Sequence, residues 1–449
     1  MSRTLITPAA IVAMDSRRGF IREGGIVIEG NRIAQVLTKA ELAGVTPFDG
    51  KVVNVRNLVA IPGFIQTHIH LCQTLFRGLA DDHQLLDWLR LRIYPYEAAH
   101  NAASMDASAR VGIIELIRSG TTTVMDMGSV YFEEEVIRAI EDSGLRAYVG
   151  KCMIDRNTLY PALKETTAEA VSSTRRLAER WHGAAGDRIR YAVAPRFVLS
   201  CSETLLQEAF EITRAGPGML FHTHAAENRV EIEEVRRLCG MDNIEYFESI
   251  RILHENSCLA HCIWVNEREV DLMSERKAKV LHCPSSNLKL ASGIARVPEF
   301  LSRGISVSLG ADGAPCNNTL DMFEEMKLAA LIQKPAHGAG GMTAEQVFAM
   351  ATMGGATALG WEQEIGSIEA GKKADVVLLD LNKVWNRYDE ISPENVYSTI
   401  VYSCSPANVH SVMVDGQWLL QDFQLTRIEE EKYVRIARDE LRRLLQRIQ

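Results

Sequence analysis

His68-Ile69-His70 closes one apolar run of the chain, and His222-Thr223-His224 closes another. Residues at i and i+2 of a strand share a face, so each pair can aim two imidazoles at one point. Asp126, Lys151, Arg196, His261, His282 and Asp312 stand at the ends of other apolar runs, and Glu227 follows His224 by three residues. Three imidazoles and a carboxylate drawn from this set suit Zn²⁺, with Fe²⁺ as the alternative, and leave a coordination place for water. Such an ion lowers the pKa of water toward neutrality, so hydrolysis is the chemistry this set serves.

These positions are far apart in the chain, and a scaffold must bring them to one rim. Eight short apolar runs alternate with amphipathic helical stretches: VAIPGFIQTH, GTTTVMDM, LRAYVGKCM, IRYAVAP, GMLFHTH, SCLAHCI, AKVLHC and GISVSLGAD. That alternation predicts βα units and a parallel sheet. Eight of them predict an α/β fold, a (β/α)8 TIM-type barrel over residues 60–367, with chemistry at the C-terminal ends of the strands. No G-x-G-x-x-G follows the first run, as an open dinucleotide-binding sheet requires. Residues 1–59 read as short strands with turns such as Gly30-Asn31, and ADVVLLDLN and SVMVDGQWLLQ echo them near the other end. Residues 1–59 and 368–449 are therefore expected to form one composite β-sandwich, with RIEEEKYVRIARDELRRLLQRI as an amphipathic helix. The glycine-rich PAHGAGGMT near 335–343 is expected to be a loop ahead of a helix.

The 449 residues carry 49 Lys+Arg against 58 Asp+Glu, a net charge of −9. That balance speaks against a nucleic-acid face, which needs clustered cations. No apolar run approaches the roughly 18 residues of a membrane span. MSRTLITPAAIVAMD lacks the pattern of a secretory signal, so a cytoplasmic location is expected. Nine cysteines stand singly, without C-x-x-C spacing. They are read as reduced, small hydrophobic side chains rather than a disulfide framework or zinc ribbon.

PGFIQTHIH, HTHAAE, LAHC, HCPSSNLKL and LGADGAP resemble, in order, the motifs of the amidohydrolase superfamily, in its branch of cytosine/guanine deaminases and triazine hydrolases. IGSIEAGKKADVVLLD resembles the strand by which that branch returns to its β-sandwich. The resemblance implies one divalent ion on His68, His70, His224 and Asp312, with Glu227 and His261 as an acid–base pair. It leaves His222, His282 and Asp126 without assigned roles. It further implies that Asp312 takes a proton from the attacking water and that His261 hydrogen-bonds the attacking oxygen. Glu227 would protonate a ring nitrogen and relay a proton to the departing amine. Ammonia leaves only when protonated whereas chloride needs no proton, so Glu227 favours deamination over dechlorination.

Binuclear relatives carry a modified lysine at the end of strand four. Arg196 stands there in this chain, and Lys151 on strand three is read as a pocket or packing residue, so one ion is expected. HIHLCQTLFRGLADDHQLLDWL and GADGAPCNNTLDMFEEMKLAALIQK resemble deaminases of 5′-substituted adenosines (5′-deoxyadenosine, methylthioadenosine, S-adenosylhomocysteine), in which Trp88 would stack near the adenine. APRFVLSCSETLL resembles guanine deaminase, in which Arg196 and Gln73 would hold the purine. The resemblance thus implies a purine nucleoside as substrate. A free base or related ring (guanine, 8-oxoguanine, pterin or aminotriazine) is the alternative. It also implies a homo-oligomer. Scaffold proteins of the superfamily have lost their metal ligands, which this chain retains.

Overall fold

The computed structural model describes residues 3–15, 19–45, 47–386 and 390–448. Five strands come first: β1 (Arg3–Val12), β2 (Phe20–Arg22), β3 (Gly25–Glu29), β4 (Arg32–Leu37) and β5 (Lys51–Pro62). The chain then runs through β6 (Phe64–His70), β7 (Thr121–Met127), β8 (Arg146–Gly150), β9 (Cys152–Met153), β10 (Ile189–Pro195), β11 (Leu220–Ala225), β12 (Ser257–His261), β13 (Lys279–His282), β14 (Val307–Leu309) and β15 (Asp312–Gly313). It closes with β16 (Val376–Leu379), β17 (Val409–Val414), β18 (Gln417–Gln421) and β19 (Gln424–Leu425).

β6 to β15 make the (β/α)8 barrel. All neighbours are parallel, in the order β14-β13-β12-β11-β10-β8-β7-β6-β15, with β9 extending β8 along β10. The eighth stave is split. Val307–Leu309 pairs with β13, and Asp312–Gly313 pairs with Ile69 and His70 of β6, which closes the ring. Gly310 lies at the break, where a Cβ would come within 2.6 Å of the His68 carbonyl oxygen. Glycine therefore lets the eighth stave swing against the first.

The strands fill the barrel floor with Ile65, Met125, Tyr148, Ala192, Leu220, Cys258 and Leu281, plugged from below by Trp361. Polar groups gather at the other end, as the fold requires of a catalytic face. Leu220, His222 and His224 share one face of β11 and show the change from core to site along a single strand.

The two ends of the chain form one continuous sheet, in the order β19-β18-β17-β16-β5-β1-β3-β4, with β2 against β1. Antiparallel pairing of β16 with β5 joins them. Alternation along β16 separates two cores: Val376 and Leu378 pack with Ile6, Ile26, Ile28 and Ile368, while Val377 and Leu379 face the barrel side. Buried Arg146 of β8 clamps the two parts together through Asp375 at 2.8 Å and Asp415 at 3.3 Å.

Two expectations about elements change. VAIPGFIQTH is two strands rather than one, because β5 ends at Pro62 in the terminal sheet and β6 starts at Phe64 in the barrel. Between them, a Cβ on Gly63 would lie 2.1 Å from Thr122. PAHGAGGMT is only partly loop, since Pro335 and His337 lie in the last turn of the helix Met322–His337. The terminal helix is present as Glu430–Ile448, and its Ala437 and Leu444 pack on Leu75, Phe76 and Tyr96 beside the barrel mouth. No helix of the described residues is long and apolar enough to cross a membrane.

Candidate active site

His68 and His70 end β6, His224 lies on β11 and Asp312 opens β15; all four are buried, and one ligand atom from each falls within 4.8 Å of the others. Their orientation is set by partners on the far side of each ring. His70 Nδ1 lies 2.7 Å from the Met127 carbonyl and His224 Nδ1 lies 2.7 Å from the Arg196 carbonyl. A carbonyl can only accept, so both rings carry the proton on Nδ1 and turn the Nε2 lone pair inward. These two Nε2 atoms lie 3.3 Å apart, and that of His70 is 3.3 Å from Asp312 Oδ1. His68 Nε2 is buried with no hydrogen-bond partner among the described residues and lies 3.5 Å from the same oxygen. Asp312 has a φ of 63°, in the left-handed region rarely adopted by a side-chain-bearing residue, and Ser286 Oγ donates to its Oδ2 at 2.6 Å. Converging lone pairs, fixed tautomers and a carboxylate make a donor set that fits a divalent ion.

Glu227 and His261 meet beside this quartet. Glu227 Oε2 is 3.5 Å from His261 Nε2, which is 3.9 Å from Asp312 Oδ2. His261 ends β12 with a φ of 74°, and its Nδ1 is held 2.8 Å from Asn287 Oδ1, so Nε2 is the nitrogen presented to Glu227. The loop bearing Glu227 is pinned by buried Glu231, which accepts from the Glu227 amide at 2.7 Å and from Asn243 Nδ2 at 2.8 Å. Electrostatics separates the two carboxyls. Burial, reinforced by the charge of Asp312, pushes Glu227 well above the usual carboxylate range. Burial also opposes ionisation of Asp312, but the imidazoles of His68, His70 and His261 around it hold it well below that range. Paired carboxyls driven apart in this way can serve as acid and base.

A cavity with about 360 Å³ of atom-free space, part of it open to solvent, rises from these groups. His70, His224, Glu227, His261, Asp312 and Arg196 form its floor and side; Leu85, Trp88, Leu89, Phe197 and Leu290 form an apolar wall. Trp88 and Arg196 thus line the cavity, whereas Gln73 stands behind it. Gln73 Nε2 donates to Glu97 Oε1 at 2.8 Å, and Arg196 Nη1 reaches the two oxygens of Glu97 at 3.2 and 3.1 Å. The guanidinium also lies 5.2 Å from the centroid of the Tyr94 ring.

The remaining strand-end candidates fall outside the quartet. Asp126 accepts from the Leu71 amide at 2.7 Å and fixes the chain just past His70. Lys151 pairs with Glu165 and donates to the Cys152 carbonyl at 3.2 Å, a packing arrangement. His282 is wholly buried, and burial lowers it to about 3. His222 lies against His68, its Nε2 2.8 Å from His68 Nδ1. Glu97, Glu231, Ser286 and Asn287 were not singled out from the sequence. Ser286 and Asn287 lie within HCPSSNLKL, so the motif held the signal, whereas Glu97 in YPYEAAH carries none that periodicity or spacing would reveal.

The amidohydrolase family profile matches residues 59–419. The 5′-deoxyadenosine deaminase of Methanothermobacter thermautotrophicus is 42% identical over 419 residues, which cover 93% of each chain. The 5-methylthioadenosine/S-adenosylhomocysteine deaminase of Syntrophomonas wolfei is 34% identical over 451 residues, covering 99% of each. The crystal structure of an adenosine deaminase from Xanthomonas campestris with bound zinc superposes with a TM-score of 0.92 at 28% identity, covering 99% of both chains. With the barrel, the His-His-His-Asp quartet and a profile that spans most of its length, the chain belongs to the amidohydrolase family.

Proposed function

We propose that the chain hydrolytically deaminates the purine of a 5′-substituted adenosine, giving the inosine analogue and ammonia, with one zinc ion held by His68, His70, His224 and Asp312. The observation that carries this reading is the meeting of Glu227, His261 and Asp312 at the edge of that quartet, facing a cavity walled by Trp88. The similarity to deaminases of 5′-deoxyadenosine and methylthioadenosine supports the substrate class. The zinc of the structural neighbour supports the metal.

When bound, the ion supplies Lewis acidity that lowers the pKa of water. The chain's own groups do the rest. Asp312, kept ionised among the imidazoles, accepts a proton from the attacking water. His261, oriented by Asn287, hydrogen-bonds the attacking oxygen through Nε2. Glu227 enters as the acid and gives its proton to the ring nitrogen beside the reacting carbon; it then takes the remaining proton of the added water and passes it to the amine, which leaves as ammonia, and the proton held by Asp312 restores Glu227. Trp88 offers a flat face to the purine, and Leu85, Leu89 and Leu290 exclude water from the ring and favour an uncharged 5′ group. Arg196, with one nitrogen engaged by Glu97, lines the cavity and would offer its other nitrogens as donors to the heterocycle. In this reading the barrel takes 63–367, and the β domain takes the residues up to 62 with 368–449, because Ala60, Ile61 and Pro62 pair with β16 in the terminal sheet. The place of Ile368 in the terminal core supports that division.

An ammonia-release panel of 5′-deoxyadenosine, methylthioadenosine, S-adenosylhomocysteine, adenosine, guanine, 8-oxoguanine and melamine tests the substrate. The nucleosides with small apolar 5′ groups are expected to lead, and a preference for any free base would overturn the assignment. Glu227→Gln is expected to keep its metal and lose roughly 10²–10⁴-fold in turnover. Near-normal ammonia release by that variant would remove Glu227 from the mechanism.

A further inference from the structure

Main-chain carbonyls orient two imidazoles of the quartet, but His68 is held differently. Its Nδ1 lies 2.8 Å from Nε2 of His222, with the two rings nearly perpendicular at 88° and both side chains wholly buried. A carbonyl can only accept, whereas an imidazole can donate or accept, so this contact has two possible senses. If His222 donated, His68 would carry its proton on Nε2 and that nitrogen could not bind an ion. If His222 accepts, His68 carries the proton on Nδ1, and its unpartnered Nε2 is free to face Asp312 and the two other Nε2 atoms.

We propose that His222, in its Nδ1–H tautomer and with Nδ1 unpartnered among the described residues, is a positioning residue that accepts from His68 Nδ1–H and so reserves His68 Nε2 for the ion. The inference rests on the metal reading of the site given above. Its geometry follows from β11, where His222 and His224 project to the same face, so that one strand supplies both a ligand and the partner of a second ligand. His222 is thereby tied to metal affinity without entering the ligand set. Groups of this kind commonly change metal affinity by 10- to 100-fold when removed.

Holoenzyme of the full chain, titrated with a chelator of known zinc affinity, tests this directly. His222→Leu is expected to weaken zinc binding about 10- to 100-fold. His222→Gln can present an amide oxygen to the same nitrogen and is expected to stay within about threefold of wild type, a rescue that shape alone would not explain. Where His222→Leu gives no cooperative melt, His222→Met, flexible and lacking a strong acceptor, takes its place. Zinc held by the leucine or methionine variant as tightly as by wild type would overturn the inference. So would a glutamine variant as weak as the leucine one. Wild-type protein that itself fails to retain zinc would instead overturn the metal reading, so the two failures are distinguishable.

Discussion

Glu97 joins three parts of the site at one carboxylate. It accepts from Gln73, pairs with the buried guanidinium of Arg196, and belongs to the helix Tyr94–Ala98, which supplies the Tyr94 ring beside that guanidinium. Removing one partner of a buried ion pair leaves an uncompensated charge and costs about 3–5 kcal/mol. Glu97→Gln is therefore expected to lower the melting temperature and to raise KM as Arg196 loses its position, while the metal content stays at that of wild type. Unchanged melting and KM would show that Arg196 is held by something else. The same residue marks how far the sequence could be read. The members of the quartet were legible as residues at the C-terminal ends of staves, where the fold and the chemistry coincide, and the family motifs singled them out from the other strand ends. Arg196 was legible for the same reason. Glu97 lies 24 residues past Gln73, in a run of short helices, and only folding brings its carboxylate to both groups.

At the scale of elements, the eight βα units could be counted from the alternation of apolar runs and amphipathic stretches, and their strands lie close to where those runs predict. The exception is the first. VAIP and FIQTH are equally buried, and burial alone does not say which sheet a buried segment joins. The division between them is made by Gly63, where the chain passes so close to Thr122 that a methyl group would meet its Cβ at 2.6 Å and its Cγ2 and Oγ1 at 2.1 Å. Relieving that clash must move β6 against β7, a cost of about 1–3 kcal/mol for overpacking at a site with little slack. Gly63→Ala is expected to lower the midpoint of urea unfolding without altering the slope, since the unfolded chain exposes the same surface. Because β6 carries His68 and His70, the variant is also expected to bind its metal more weakly. A variant as stable as wild type would mean that the junction yields more easily than its contacts imply. The order of the terminal sheet, with β5 between β1 and β16, was legible only as far as its two sources, because an alternating pattern identifies a strand but not its neighbours.

Over the whole molecule, the net charge of −9 says little about stability, which depends on titratable groups that folding removes from water. Burial raises Glu269 and Asp321 to about 7 and Glu325 to about 8. Burial lowers His100 to about 4. The two kinds act with opposite sign. A buried carboxyl keeps its proton where the unfolded chain has released it. The contribution of Glu325 is therefore complete below its ordinary value of 4.5 and is lost as pH rises through about 8. A buried neutral imidazole must pick up a proton on unfolding below its ordinary value of 6.5, so the contribution of His100 is present above that pH and is lost as pH falls toward about 4. Between about pH 4.5 and 6.5 the two effects oppose each other; above about 6.5 the carboxyls act alone, so stability is expected to fall from there to about pH 8. Glu325 offers a clean handle on the alkaline limb: it is wholly buried, accepts from Asn317 Nδ2 at 2.8 Å and the Ser285 amide at 3.3 Å, and lies outside the metal quartet. Glu325→Gln keeps an amide oxygen for Asn317 and removes the titration. Up to roughly 1.4 kcal/mol per pH unit should then vanish from the alkaline slope. Melting curves from about pH 5 to about pH 9 are expected to show the variant gaining on wild type up to about pH 8 and holding level beyond it, because only the wild type must ionise a buried carboxyl. Curves that stay parallel across that range would place the alkaline titration in another group, with Glu269 and Asp321 the next to replace.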